Sequence, residues 1–370
     1  MPIKIRRNLE HGHVSASLIL AAVGGFLLLV YLIAKSGAAD VAHAMLVIGW
    51  WLIPITLYHL VPLTFSALSW RELLPPATRP NAVNIIWIRW IRNSINSLLP
   101  VAGVGGDIAS VRLVRLRGVP GIQAAASMVV DVTLGVTTQL MFVLSGVALL
   151  LMRSTEHRVL LVAWGVLIGT GTLLAAVAAF VLLQHRGLFH GSAKLTRRLL
   201  PRQWLSLWMA GASEIDDAVV AAYRSGHPIL GATVLQLFGW ASSVGEIWLV
   251  MQALGQPLSV VDAYILESLV SGVRAATFMI PGALGALEGS FVLFGAVFGL
   301  PSETALAISL SKRVRELALG LPGLFVWHWM EGHHLLRRSA PTHGSQDPAD
   351  RNCAVAKAST RDGSHARSSK

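Results

Sequence analysis

The sequence predicts an all-α polytopic membrane protein of about six transmembrane helices plus two re-entrant broken-helix hairpins, arranged as an inverted repeat. Three observations predict it. The chain is more apolar than a water-soluble domain: 54% of its 370 residues are hydrophobic and 13% charged, with mean hydropathy +0.61, where soluble domains carry about 25% charged residues. Several stretches exceed the roughly 18 apolar residues that cross hydrocarbon. Finally, a Gly/Pro-broken segment nearly recurs: Leu98-Leu-Pro-Val-Ala-Gly-Val-Gly-Gly-Asp107 returns 181 residues later as Met279-Ile-Pro-Gly-Ala-Leu-Gly-Ala-Leu-Glu288. In that register Pro100 falls on Pro281, Asp107 on Glu288, Val111 on Val292, Gly118 on Gly299, Pro120 on Pro301, Ala124 on Ala305 and Ala126 on Ala307. Duplicated, Gly/Pro-interrupted apolar segments in corresponding halves of a membrane protein point to a transport site.

Residues 1–13 read as a cytoplasmic N-terminus and 14–337 as the transmembrane domain. The half-repeats lie at about 41–152 and 222–330. Residues 14–34 and 41–69 carry no Asp, Glu, Lys or Arg except Asp40 just outside, and 159–184 is equally clean. The first of these is too long, and lacks the small-residue cleavage site, to be a signal peptide, so a retained helix is expected. Residues 122–152 are apolar except for Asp131, and 228–253 except for Glu246.

The first hairpin, 81–121, begins with a Trp/Ile-rich piece interrupted by Arg89, Arg92, Asn93 and Asn96. It breaks at Pro100, Gly103, Gly105 and Gly106, then resumes as a short basic helix. The second, 261–300, has the same plan, with Glu267 and Arg274 ahead of Pro281, Gly282 and Gly285. Halves of about 15–18 residues give about 22–27 Å of helix against about 30 Å of hydrocarbon, too short for full spans. Kinked interfacial helices are the competing reading, because irregular backbone at membrane depth must be packed in protein or face water. The polar stretch 204–223 reads as an interfacial amphipathic helix. Residues 338–370 lack apolar periodicity and read as a disordered basic cytoplasmic tail.

Charge sets orientation. The loop 185–204 holds Arg186, Lys194, Arg197, Arg198 and Arg202 with no acid, so it belongs in the cytoplasm, as do both termini. The net charge of +11 is then the positive-inside bias plus attraction to anionic lipid, and no basic soluble module for nucleic acid is present. Cys353, the only cysteine, excludes an internal disulfide and a thiolate cluster. His43 and His59 are spaced unlike metal ligands and read as packed or interfacial. No metal site or cofactor is expected.

Ionisable groups at membrane depth are costly and usually functional. Asp107 and Glu288 follow the glycine-rich breaks, where a ligand can approach closely. They bind a cation, a proton or an amine-bearing headgroup, or else each caps its own helix. Lys312, Arg313, Arg315 and Glu316 form the densest charge cluster, with Lys312 and Arg313 able to share a helix face with Glu316. Its basic excess favours an anionic headgroup, since Arg grips phosphate or carboxylate with two prongs. An internal salt bridge is the alternative. Arg112 and Arg274 are candidates for the same role, with Asp131 or Glu246 as their partners.

The pattern Leu99-Pro-Val-Ala-Gly-Val-Gly-Gly-Asp107, with Gly118-Val-Pro120 and Ala124-Ala-Ala-Ser-Met-Val-Val-Asp131, resembles the flippase-like transmembrane region of lysylphosphatidylglycerol synthases. The second copy, Ile280 to Gly289 with Lys312-Arg-Val-Arg-Glu316, agrees. The resemblance covers about residues 14–335 and is greatest to the inner-membrane protein linked to hopanoid biosynthesis. It implies translocation or trafficking of a hopanoid or other polar lipid at the bacterial inner membrane, with membrane lipids and lipid-biosynthesis enzymes as the expected partners. The sequence carries no soluble acyltransferase-like stretch, so synthase activity is not implied. An intramembrane transferase on a lipid-linked substrate, or a non-catalytic partner of lipid enzymes, are the alternatives.

Overall fold

The computed structural model describes residues 11–99, 105–153, scattered positions between 164 and 179, 214–224, 226–277 and 283–339. Every regular element among them is helical. The chain starts with α1 (His11–Lys35). A single apolar stretch, Ala38–Glu72, follows in three pieces: α2 (Ala38–Ile48), α3 (Leu52–Tyr58) and α4 (Leu60–Glu72), with a 3₁₀ turn at Gly49–Trp51. Pro54 and Pro62, which lack an amide proton, sit next to these irregularities and remove ladder hydrogen bonds there.

The first broken segment is α5 (Ala82–Leu98) and α6 (Gly105–Arg115), followed by α7 (Gly121–Arg153). The second half supplies α8 (Gly226–Ala253), α9 (Val260–Ala276), α10 (Ala286–Val297) and α11 (Ser302–Ser339). Asn81 starts α5 by accepting from the Asn84 amide, and Ser259 starts α9 by accepting from that of Asp262. A polar side chain at the N-cap satisfies one of the four orphan amides of a helix start.

The element boundaries keep the register of the duplicated motif. The helical stretches ending at Glu72 and Ala253, and the starts of α6 and α10 and of α7 and α11, are each 181 residues apart. α5 and α9 both have 17 residues. The second members, α6 and α10, have 11 and 12 residues, shorter than the 15–18 expected. At 1.5 Å per residue they reach only about 17 Å, well short of the hydrocarbon thickness.

Among the described residues, three helical stretches are long and apolar enough to cross a membrane: Ala38–Glu72, Gly121–Arg153 and Gly226–Ala253. Their outward faces are apolar; Leu46, Trp50, Ile53 and Leu57 are exposed along the first. In water such a surface would be costly, and in lipid it is the solvent-matched face. The inward faces interlock. α8 packs most extensively on α4, where Ser69 Oγ donates to the Ala232 carbonyl at 2.9 Å, and Tyr58 OH at the end of α3 donates to that of Ser242 at 3.0 Å. Behind them Ile55, Val143, Val147, Ile247, Leu266, Leu269 and Phe291 form a continuous apolar core.

Two of the expected hinge glycines show why the residue is needed. Gly106 opens α6 against α5, donating its amide to Asn96 Oδ1 at 2.8 Å; a Cβ there would collide with the Arg92 carbonyl. Gly285 caps α10 with φ +75°, which glycine adopts without the penalty a side chain brings. Gly105 is the first residue of α6. Pro100, Gly103, Pro281 and Gly282 lie outside the described residues, as do most of 159–204 and all of 340–370.

The contacts divide the chain into Met1–Leu324 and Phe325–Lys370. The first unit holds the core and the charged cluster. In the second, the Phe325 and Trp329 rings lie 6.3 Å apart along one helical turn.

Candidate functional site

Two buried ionic networks meet at one cavity. In the first, α5 brings Arg89 and Arg92 against α7. Arg89 Nη1 donates to Asp131 Oδ2 at 2.6 Å, and its Nε and Nη2 donate to Ser66 Oγ on α4 at 3.0 and 2.5 Å. This pair is sealed, with side chains 4% and 1% exposed. Arg92 Nε donates to Asp107 Oδ1 on α6, and its Nη1 lies 4.0 Å from Asp131 Oδ2. Asp131 Oδ1 is buried without a partner.

The second network is centred on Glu246 of α8. Arg315 Nη1 donates to Glu246 Oε2, and Lys312 Nζ stands 3.7 Å from the same oxygen. His59 Nδ1 lies 2.5 Å from Glu246 Oε1 and 2.9 Å from Arg315 Nη1. Lys312 Nζ donates to Glu267 Oε2 at 2.6 Å and sits 5.7 Å from the centre of the Phe291 ring, a cation–π distance. Arg313 Nε donates to Glu288 Oε1 at 3.0 Å and its Nη1 to Glu316 Oε2 at 3.1 Å. Arg274 Nη2 approaches Glu316 Oε1 at 3.5 Å and Arg315 Nη2 approaches it at 3.6 Å.

The cavity between the networks measures about 350 Å³. Its charged walls include Arg89, Asp131, Glu246, Glu267, Lys312 and Arg315, and Gln139, Gln236 and Ser243 add neutral donors and acceptors. Five Arg or Lys side chains and three Asp or Glu side chains line it. A neighbouring cavity of about 310 Å³ shares His59, Asn93, Arg274 and Arg315 and adds Glu316. Such volumes fit a headgroup-sized polar ligand.

The duplication reaches into this chemistry. Arg89 is the eighth residue of α5 and Glu267 the eighth of α9; Asp131 is the eleventh of α7 and Lys312 the eleventh of α11. Each half therefore builds a buried ion pair from the same two helix positions, with the charges exchanged between helices. Asp107 and Glu288 are likewise the third residues of α6 and α10.

Of the residues expected at the site, Asp131, Arg274, Lys312 and Arg315 line the main cavity and Glu316 lines its neighbour. Asp107 and Glu288 lie off both walls. Each sits in the first turn of its helix, where the dipole favours an anion, but each is held by an arginine rather than by its own backbone. Arg313 also lies off the walls, bridging Glu288 and Glu316. Arg112 is exposed on α6 and lines neither cavity. Lys312, expected beside Glu316, turns to Glu267, because the Lys312 face of α11 meets α9. Arg274 was expected to find Asp131 or Glu246 and pairs instead with Glu316.

Sequence reasoning missed Arg89, Arg92 and Glu267 as site residues, named Glu246 only as a partner for Arg112 or Arg274, and read His59 as packed or interfacial. The available signal was position: Arg89 and Glu267 are charges at the eighth residue of two helices of equal length. His59 gave no comparable signal.

Neither the curated proteins nor the solved structures gave a significant match to this chain. A family model did: the lysylphosphatidylglycerol synthase TM region matches residues 15–323, an interval that contains both ionic networks. This all-helical membrane protein belongs to the family of the lysylphosphatidylglycerol synthase transmembrane region.

Proposed function

We propose that the chain moves a polar lipid across or out of the bacterial inner membrane, taking the headgroup into the cavity between the two networks while the acyl or polycyclic part stays in lipid. The observation that carries this reading is a headgroup-sized cavity walled by buried charge. Replacing buried ion pairs by apolar side chains is often neutral or stabilising, so a bilayer protein has no stability reason to keep so many. A ligand gives it one. The basic majority on the wall suits an anionic group, which Arg89, Arg274 and Arg315 can meet with two-pronged hydrogen bonds. A hopanoid or another amphiphile with a polar end would fit the same division between cavity and lipid.

The matched helix boundaries support a pseudo-twofold repeat. In the multi-pass arrangement we infer, both termini are cytoplasmic and the α5–α6 and α9–α10 segments enter from opposite faces. With Cys353→Ser as background, a cysteine at Ser192 should be shielded from an impermeant thiol reagent in spheroplasts while one at Glu156 reacts. Labelling of both from one side would end the inverted arrangement.

A second reading, an intramembrane transferase, is favoured by one observation: His59 and Glu246 form an acid–base pair directly beside Arg315. Purified protein in liposomes separates the two. Movement of labelled lipid at unchanged mass supports translocation, a product of altered mass supports transfer, and neither result leaves a non-catalytic partner of lipid enzymes.

A further inference from the structure

The contact between His59, Glu246 and Arg315 contains a conflict over one atom. His59 Nδ1 lies 2.5 Å from Glu246 Oε1, and an ionised carboxylate, which only accepts, makes that contact with a proton on Nδ1. The same Nδ1 lies 2.9 Å from Arg315 Nη1, an obligate donor, which requires Nδ1 to be a bare acceptor. An imidazole nitrogen does one or the other. Arg315 Nη1 also donates to Glu246 Oε2, so His59 and Arg315 compete for one carboxylate.

We propose that His59 is a proton site that controls whether Arg315 is available to an anionic group in the cavity; the proposal rests on the headgroup reading above. With Nδ1 bare, the ring accepts from Arg315 and the guanidinium stays bound between His59 and Glu246. When cavity water delivers a proton to Nδ1, the N–H turns to Glu246 and the ring becomes a cation. Glu246 then has a second positive partner, Arg315 meets repulsion where it had an acceptor, and its guanidinium is released toward the cavities it lines on both sides. The hydrogen bonds of Arg315 to His59 and Glu246 are given up, and no covalent bond other than the new N–H is made or broken. Return of the proton to water restores the first state.

The surroundings are consistent with a switch that changes net charge by one. Glu246 on α8, and Lys312, Arg315 and Glu316 on α11, face the ring directly or through the shared walls. Glu267 and Arg274 on α9, Arg89 and Arg92 on α5, and Asp131 on α7 stand around the same space. With Asp107, which Arg92 holds, these five cations and five anions balance, and His59 is the group among them whose ordinary titration falls near neutral pH. Its side chain is 24% exposed, so water reaches it, whereas Glu246 is sealed at 1%. An added proton therefore leaves the cluster one positive charge in excess, which an anion can neutralise.

Linkage makes the test reciprocal: an anion that binds the protonated state more tightly must raise the proton affinity of His59 by the same factor. The full chain, with ¹⁵N-labelled histidine, is placed in nanodiscs of zwitterionic lipid and titrated from pH 5 to 9 with and without dihexanoyl phosphatidylglycerol as the anionic probe. His59→Gln or His59→Asn, whichever inserts, identifies the resonance. The expected result is an upward move of the His59 midpoint of at least one pH unit with the probe, matched by at least tenfold tighter probe binding at pH 5.5 than at pH 8.5. Binding that leaves the midpoint in place overturns the proton-site proposal alone. Absence of probe binding at every pH overturns the anionic-headgroup reading and this proposal together. A His59 ring that stays in one protonation state throughout overturns the proposal whatever the lipid does.

Discussion

The two halves of this chain solve one problem with opposite signs. In the first, α5 contributes the cation, Arg89, and α7 the anion, Asp131; in the second, α9 contributes the anion, Glu267, and α11 the cation, Lys312. The helix positions match and the charges are exchanged. What the duplication preserves is thus the presence of a buried pair at a given depth and face, which geometry dictates, and not its polarity, which Coulomb attraction leaves free. The halves differ in what surrounds the pair. Arg89–Asp131 is backed by Arg92 and Asp107, whereas Lys312–Glu267 opens onto Glu246, Arg315 and His59. The first pair resembles an anchor, whereas the second stands beside the proposed switch, which joins Glu246 and Arg315 of the second half to His59 of the first.

The sharpest way to break this comparison is Glu246→Gln. It removes the carboxylate shared by Arg315, Lys312 and His59 and leaves two cations under-compensated. Losing one partner of a buried pair costs roughly 3–5 kcal/mol, so the variant should express poorly or melt well below the parent by a detergent thermal-shift measurement. A near-normal melting temperature would mean that water already solvates the cluster.

The next effect tests the exchange of signs. Arg89→Glu and Asp131→Lys should each destabilise the fold, while the double variant, which gives the first half the polarity of the second, should recover about 1–3 kcal/mol of coupling energy. Additive losses in the melting series would show that Arg92, and not Arg89, holds Asp131 in place. The smallest effect belongs to Arg153–Asp262, a pair of the same chemistry whose arginine is half exposed. Arg153→Ala should cost at most about 1 kcal/mol, as exposed pairs do. Together the three variants grade ionic contacts by burial.

Much of this was legible before the structure. Proline and glycine at 100–106 and 281–285 marked the breaks, because neither residue supports a continuous helix there. Long apolar runs marked the three candidate spans among the described residues, two of them interrupted by Asp131 and Glu246. Asp131, Lys312, Arg315 and Glu316 stood out because charge at membrane depth is expensive. The partners were not legible. A helical period reports which residues share a face, as for Arg313 and Glu316, but not how that face is rotated against another helix. Glu246 meets His59 across 187 residues of chain and Arg315 across 69, and nothing local encodes either meeting. For the same reason Asp107 and Glu288 read as ligand-binding or helix-capping groups without their partners, because the arginines that hold them lie on separate helices.

The central claim is that a lipid headgroup passes through the cavity between the networks. Ser243 lines that cavity from α8 with a small side chain, so Ser243→Trp fills the space without removing a charge. Leu230→Trp, on an exposed apolar position of the same helix, serves as the matched control. Both proteins are reconstituted in liposomes with fluorescent phosphatidylglycerol, and its transfer between leaflets is followed by dithionite quenching. The account predicts transfer by the parent and by Leu230→Trp, and its loss in Ser243→Trp at an unchanged melting temperature. Transfer by Ser243→Trp at the parental rate would contradict it.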